Sequence, residues 1–410
     1  MDSLKRVKTL QISVVAVAIV LLLRLFYIQV IDDSYKSNAA NNVLRYTVQY
    51  PPRGEVYDRN GRFLVQSKEA YDLMAIPREI RPFDTAAMSR ILGVSVEQIR
   101  KELRKASNFS RRRASVIFKQ LPKEVKLRFE EHGFSGFFTV YRTVRSYPTK
   151  MAGNLLGYVG EVNDRILERN PYYRSGDYIG MSGIEQAYEE VLRGEKGVKI
   201  EMVDVHGIPK GSYANGIYDT LPSPGVAITC TIDGRLQAVA EELMRGKVGA
   251  AVAIEPSTGE ILMMVSSPTY DPDELVGRER GNNYMKLLDD PRRPLFNRAV
   301  MSSYPPGSTF KVVQGLIGLQ EGVLVPEQTY PCHGGYPYGR GMACHEHYSP
   351  LDLEGAIQNS CNAYFCWNLY RMFSNKRKYG SVQNAMNCWK DHMVDMGFGY
   401  KLGIDLPGES

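Results

Sequence analysis

Little in these 410 residues is extreme, and each shortage closes off a class of protein. Six cysteines are too few to staple a chain of this length into a disulfide scaffold. The formal charge of +6 is mild and does not point to nucleic acid, although it suits an anionic surface or substrate. There is no long low-complexity tract and no fixed-period repeat. The glycine-punctuated turns Gly157-Tyr158-Val159-Gly160 and Gly180-Met181-Ser182-Gly183 lack phosphate-loop spacing. No organic cofactor is expected. What remains is ordinary in composition, 43% hydrophobic and 23% charged, with room for two or three domains and a sizeable core.

One long apolar run is present, Leu10 to Val30. As a helix it would rise roughly 30 Å, the thickness of a bilayer core. Arg24 near its far end can snorkel, and Phe26 and Tyr27 sit at belt positions. Lys5, Arg6 and Lys8 precede it, and Asp32 and Asp33 follow. The expectation is a cytoplasmic tail over 1–9 and an uncleaved single-pass anchor over 10–30, with the rest of the chain outside. A cleaved signal peptide is the alternative.

Residues 31–235 read as an α+β region of short elements. Asp58-Arg59-Asn60-Gly61 predicts a tight hairpin. Ser95-Val96-Glu97-Gln98 predicts a capped helix, with Ile99 and Leu103 on its apolar stripe. From 236 to 410 the character changes. Gly249–Glu255 and Glu260–Ser266 are apolar runs joined by Pro256-Ser257-Thr258-Gly259, a hairpin signal. Helical patterns follow, so an antiparallel sheet covered by helices is expected.

The chemistry concentrates at Tyr304-Pro305-Pro306-Gly307-Ser308-Thr309-Phe310-Lys311. Proline and glycine punctuate the chain just before a helical pattern, placing Ser308 in the first turn. Lys311, three residues on, shares its face. A hydroxyl nucleophile needs a base within hydrogen-bond reach, and Ser-x-x-Lys supplies both. Alone, so short a pattern reads first as an N-capping serine followed by a surface lysine. Ser360-Cys361-Asn362 stands some fifty residues downstream. Together the two motifs are the first two elements of penicillin-recognising serine acyl-transferases.

On these residues the chain resembles the class B penicillin-binding proteins, and within them the elongation type, penicillin-binding protein 2 of the rod system. Further stretches that carry the resemblance are Arg53-Gly54 with Asp58-Arg59-Asn60-Gly61, Gly180 to Glu185, Asn297-Arg298-Ala299 and Gly403 to Gly408. The resemblance implies an inner-membrane anchor, an α+β pedestal of the dimerisation type and a serine transpeptidase domain. It implies Ser308 as nucleophile toward peptidoglycan stem peptides and β-lactams, Lys311 as general base, Ser360 as proton relay and Asn362 as the group that holds the substrate amide. It also implies a SEDS-family glycosyltransferase and other elongation proteins as partners. The family's third motif, Lys-Thr/Ser-Gly, is missing. The transpeptidase domain is therefore expected to be incomplete and these 410 residues to have little activity, leaving a non-catalytic scaffold as the alternative.

Cys332, His333, Cys344, His345, His347 and Cys361 fall within thirty residues. Cys332, Cys344, His347 and Cys361 make a Cys3His set suited to structural zinc. A Cys332–Cys344 disulfide is the alternative. The resemblance favours zinc, since some relatives hold one between this insertion and the cysteine of the Ser-x-Asn element. Cys230, Cys366 and Cys388 are expected to be buried thiols.

Overall fold

The computed structural model describes residues 15, 17–27, 44–203, 209–277, 279–339 and 341–409. They divide into two compact units, residues 1–299 and 300–410.

Among the described residues no helix is long and apolar enough to cross a membrane. This corrects the expected anchor over 10–30, and with it the single-pass inner-membrane placement. The helical residues described there, 17–27, rise only about 16 Å, half of a hydrocarbon core of about 30 Å. The rest of that run, the tail over 1–9 and the flanking Lys5, Arg6, Lys8, Asp32 and Asp33 lie outside the described residues.

The first unit is α+β, as its mixed short patterns predict. Its central strand is β1 (Phe63–Ala75), flanked by β2 (Ser115–Leu121) and β3 (Phe137–Ser146), both antiparallel to it. Val56–Tyr57 and Ile228–Thr229 complete this five-stranded sheet. The turn into β1 is built by Asp58, whose carboxylate accepts the N–H groups of Asn60 and Arg62 at 2.8 Å each. Gly61 takes the positive φ of +76° that the turn demands. Three helices cover the sheet: α1 (Thr85–Leu92), α2 (Val96–Phe109) and α3 (Lys123–Glu131). Asp84 caps α1 and Ser95 caps α2, each accepting first-turn N–H groups. Leu73, Met88, Ile99, Phe118 and Phe129 meet between sheet and helices in one buried cluster. A second, three-stranded sheet joins Leu44–Gln49, Gly197–Val203 and Pro209–Ser212. The apolar runs near 250 and 262 form the expected hairpin, β4 (Gly249–Ile254) with β5 (Ile261–Ser267).

A buried ionic knot fixes the Pro51-Pro52-Arg53-Gly54 stretch. Arg53 Nη2 lies 2.8 Å from both Glu185 and Glu189, and Arg145 Nε lies 2.6 Å from Glu185. Charges this deep are tolerable only when paired. Removing one partner would leave an uncompensated ion. Gly54 is required here because a Cβ would stand 2.0 Å from the Val226 carbonyl oxygen.

The second unit is mainly helical: α4 (Phe310–Gln320), α5 (Leu353–Gln358), α6 (Asn362–Ser374) and α7 (Val382–Asp395), with a small hairpin of Gly335–Tyr336 and Met342–Ala343. Helix α4 presents Gly315 and Gly318 to α6; a Cβ on Gly318 would come within 2.6 Å of Asn368. Ile317, Val323, Met372 and Met393 are buried together, and Trp389 donates to Gln314 at 2.7 Å, fastening α7 to α4. The six cysteines form no disulfide, and Cys230, Cys366 and Cys388 are half-buried, where buried thiols were expected.

Candidate functional site

Ser308 sits in a single 3₁₀ turn, Gly307–Thr309, that runs into α4. Two prolines end the preceding chain, and Gly307 at φ +62° turns it into the helix. Lys311, one turn on, points back along the same face. Its Nζ is 3.3 Å from Ser308 Oγ.

The Ser360 loop arrives from α5. Asp352 caps that helix by accepting from Gly355 N at 2.8 Å, and the helix ends at Asn359. Ser360 then adopts φ +52°, a left-handed conformation that costs a residue with a Cβ about 1 kcal/mol or more. The reversal lets Cys361 start α6 as its N-cap. It also aims Ser360 at α4. Ser360 Oγ donates to Ser308 Oγ at 2.9 Å, while Lys311 Nζ donates to the Ser360 hydroxyl at 2.9 Å and to its carbonyl at 2.6 Å. Non-glycine backbone strain held by such contacts is a mark of functional sites.

The three groups form a closed hydrogen-bonded triangle. Partial burial of Lys311 lowers its ammonium below the usual lysine range, opposed by the thiols of Cys344, Cys361 and Cys366 when these are charged. Ser308 itself is exposed. The arrangement can activate a hydroxyl, shuttle its proton and expose the resulting nucleophile to an incoming carbonyl.

Asn362 is placed beside this triangle, but its Nδ2 donates to the Ala343 carbonyl at 2.7 Å. It therefore ties the Met342–Ala343 strand to the start of α6. Sequence reasoning assigned Asn362 to a substrate amide and missed this internal partner, since no local signal links residues 343 and 362.

The cysteine cluster assembles on the other side of the same loop. One ligand atom each from Cys332, Cys344, His347 and Cys361 lies within 4.8 Å of every other. Cys344 Sγ and Cys361 Sγ are 3.9 Å apart. That is far beyond a disulfide bond of about 2.05 Å, and close to the ~3.8 Å edge of a tetrahedron with metal–sulfur bonds of about 2.3 Å. Ala363 N and Tyr364 N, at the start of α6, donate to the two sulfurs at 3.4 Å. His347 Nδ1 is 2.7 Å from the Tyr348 carbonyl, which fixes the proton on that nitrogen. Its Nε2 is buried without a hydrogen-bond partner. An orphaned imidazole nitrogen facing three thiols fits a divalent metal, and the Nδ1 contact is the outer-shell support such a ligand uses. The two thiols divide their titration unequally. Burial and the nearby thiol charges push Cys361 up to about 12, whereas N–H donors at the start of α6 and neighbouring groups outweigh burial at Cys344 and hold it down. His333 and His345 are not part of the set.

A second grouping was not legible in the sequence. Glu321, Cys388 and His392 also bring ligand atoms together. The Lys378 ammonium already occupies Glu321 at 2.7 Å, and His392 and Tyr379 hold the same carboxylate at 2.7 and 2.8 Å. This is an ion-paired hub binding the end of α4 to the following helices. Residues 321 and 392 are too far apart in the chain for spacing to reveal it.

Comparison with known proteins covers almost the whole chain. Residues 48–229 match the penicillin-binding protein dimerisation domain and residues 249–410 the penicillin-binding protein transpeptidase domain. The peptidoglycan D,D-transpeptidase MrdA of Acinetobacter baumannii is 29% identical over 97% of this chain and 59% of its own length. The protein of the same name from Salmonella typhimurium is 30% identical over 95% of this chain and 63% of its own. The chain thus spans about three fifths of the length of these relatives. A solved complex between penicillin-binding protein 2 and MreC from Helicobacter pylori shares the fold, with TM-score 0.72 at 23% identity over 90% of this chain and 68% of that one.

Proposed function

The chain belongs to the class B penicillin-binding proteins of the elongation type, which join a dimerisation domain to a transpeptidase domain, and from that premise we propose that it supplies the nucleophile half of a peptidoglycan D,D-transpeptidase. The observation that carries the reading is the triangle of Ser308, Lys311 and Ser360. Ser308 Oγ attacks the penultimate D-Ala carbonyl of a stem peptide. Its proton passes to Lys311 Nζ, deprotonated beforehand. The tetrahedral intermediate collapses as the C–N bond breaks, and the leaving D-Ala amine takes a proton from the Ser360 hydroxyl, which Lys311 refills. The amine of a second stem, or water, then attacks the acyl-enzyme and restores Ser308. The backbone N–H of Ser308 serves as one oxyanion donor. β-Lactams acylate the same hydroxyl. Asn362 exchanges its Ala343 partner for the substrate amide.

In this reading residues 31–235 are the pedestal and 236–410 the transpeptidase domain. Cys332, Cys344, His347 and Cys361 hold a structural zinc. Four protein ligands leave it no open position, so it braces the Ser360 loop and takes no part in catalysis. The pedestal docks on elongation proteins, among them a SEDS-family glycosyltransferase; the solved relative from Helicobacter pylori is a complex with MreC. A scaffold role without chemistry is the second reading, favoured by the match of residues 48–229 to the dimerisation domain.

The deciding experiment is Ser308→Ala in cells that depend on the gene. Loss of rod-shaped growth with retained partner binding supports the enzyme. Full complementation sinks it in favour of the scaffold.

A further inference from the structure

The first unit contains a cleft remote in sequence from the serine triangle, with about 100 Å³ of free space. Its walls come from the segments around Tyr50, the end of β3, the Tyr172–Asp177 loop, Arg193, Lys196, Leu275–Gly277 and Arg280. Six cations line it: Arg53, Arg142, Arg145, Arg193, Lys196 and Arg280. Only two acids do, Asp72 and Asp177.

Those acids are already committed. Asp72 holds Arg142 at 3.1 Å and accepts from Gln120 N at 2.9 Å. Asp177 pairs with Lys196 and accepts from Tyr50 OH at 2.7 Å. Behind the wall, Glu185 and Glu189 answer Arg53 and Arg145. Four carboxylates therefore face six cations. Arg193 and Arg280 have no carboxylate within ion-pair distance among the described residues. Arg193 lies over the Tyr172 ring at 3.9 Å and spends one N–H on Tyr173 OH at 3.2 Å. Stacking of that kind fixes the guanidinium plane and leaves its edge for a ligand. Two more lining groups carry unanswered donors. Arg53 Nε and Arg145 Nη2 are buried without a hydrogen-bond partner, and Arg145 is only 5% exposed.

An excess of two positive charges, partnerless guanidinium N–H groups and a small aromatic-walled space have one chemistry in common. Planar N–H forks bind oxyanions, carboxylate or phosphate, in two-point contacts. The cleft has room for one small oxyanion on a short chain. We propose that the cleft bounded by Arg193, Arg280 and Tyr172 is a binding site for a small oxyanion carrying one or two negative charges. Occupation would link the β3 end, the Tyr172 loop and the helix beginning at Arg280, so the ligand stiffens the first unit.

The test uses the purified 410-residue chain, titrated calorimetrically with glutarate and separately with inorganic phosphate, at constant ionic strength in chloride. Saturable binding at one per chain, with a parallel rise in thermal midpoint, is the expected result. Arg280→Gln and Arg193→Gln should each weaken it about tenfold, the loss of one charged hydrogen-bonding partner. Arg292→Gln, on an exposed pair away from the cleft, should leave it unchanged. The stronger of the two ligands identifies the source chemistry. No saturation by either anion, equal binding of neutral glutaramide, or undiminished binding by both Arg280→Gln and Arg193→Gln overturns the proposal. Neither outcome bears on Ser308.

Discussion

The hydroxyls of Ser308 and Ser360 stand 2.9 Å apart although 52 residues separate them in the chain. Lys311 closes the triangle from one side and the left-handed backbone of Ser360 from the other. The candidate site is thus a relation between two helix starts.

That relation predicts where a β-lactam reacts. Fluorescent penicillin should label the 410-residue chain slowly, because no Lys-Thr/Ser-Gly strand is present to complete the oxyanion and carboxylate contacts. What label forms should sit on Ser308, vanish in Ser308→Ala and fall by ~100-fold or more in Lys311→Met. Peptide mapping of the adduct reads this directly. Label that survives Ser308→Ala means another nucleophile; rapid stoichiometric labelling removes the case for an inactive chain.

The strain at Ser360 can be measured separately from its hydroxyl. Ser360→Ala and Ser360→Gly both delete the hydroxyl's hydrogen bonds to Ser308 and Lys311 and keep the carbonyl's bond to Lys311. Only glycine relieves the φ of +52°. The glycine variant should be more stable than the alanine variant by ~1 kcal/mol in urea titrations, with both unable to acylate. Equal stabilities would show that the loop carries no backbone strain.

A third expectation concerns the thiol cluster. Metal analysis of the purified chain should return one zinc, and Cys361→Ser should lose most of it. A strong chelator should lower the unfolding midpoint of the unmutated chain and leave the variant little changed. Because Cys361 is the N-cap of α6 next to Ser360, metal removal should also loosen the Ser308–Ser360 contact, read as slower acylation. Zinc-free protein of full stability would end the assignment.

Glu321 supplies a pH dependence. The Lys378 ammonium first, then His392, hold its carboxyl down to about 2, against a small opposing effect of burial. A carboxylate depressed in the folded state gives stability that is fully present above its unfolded value near 4.5 and is lost as pH falls through about 2. Glu321→Gln should therefore cost ~2–3 kcal/mol at neutral pH, a difference that shrinks between pH 4.5 and 2. A mutant-to-wild-type difference that stays constant across that window would show that Glu321 acts through packing alone.

Much was legible before any coordinates. Ser95 caps its helix as the Ser-x-x-Gln spacing predicts, Asn60-Gly61 turns where the hairpin signal puts it, and the runs at 249 and 260 pair. These are local properties: caps, turns and strand periodicity act over a few residues. The apolar run over 10–30 did not mark a span, since no helix among the described residues is long and apolar enough to cross a membrane. The Glu321 hub and the tie from the Asn362 side chain to the Ala343 carbonyl left no trace in the sequence, since each joins groups that only packing brings within 3 Å.

By itself the sequence determined which residue types were available and in what order. It set a serine and a lysine one helical turn apart, a second serine before a helix start, and three thiols and an imidazole within one insertion. Tertiary structure alone decided that these belong together. The glycine face of α4 lets α6 approach closely, and the positive φ of Ser360 turns its hydroxyl toward Ser308 while Cys361 turns toward Cys344. One backbone reversal thereby places the proton relay on one side of the loop and the candidate metal ligand on the other. Spacing in the chain carries no information about which way a loop will face.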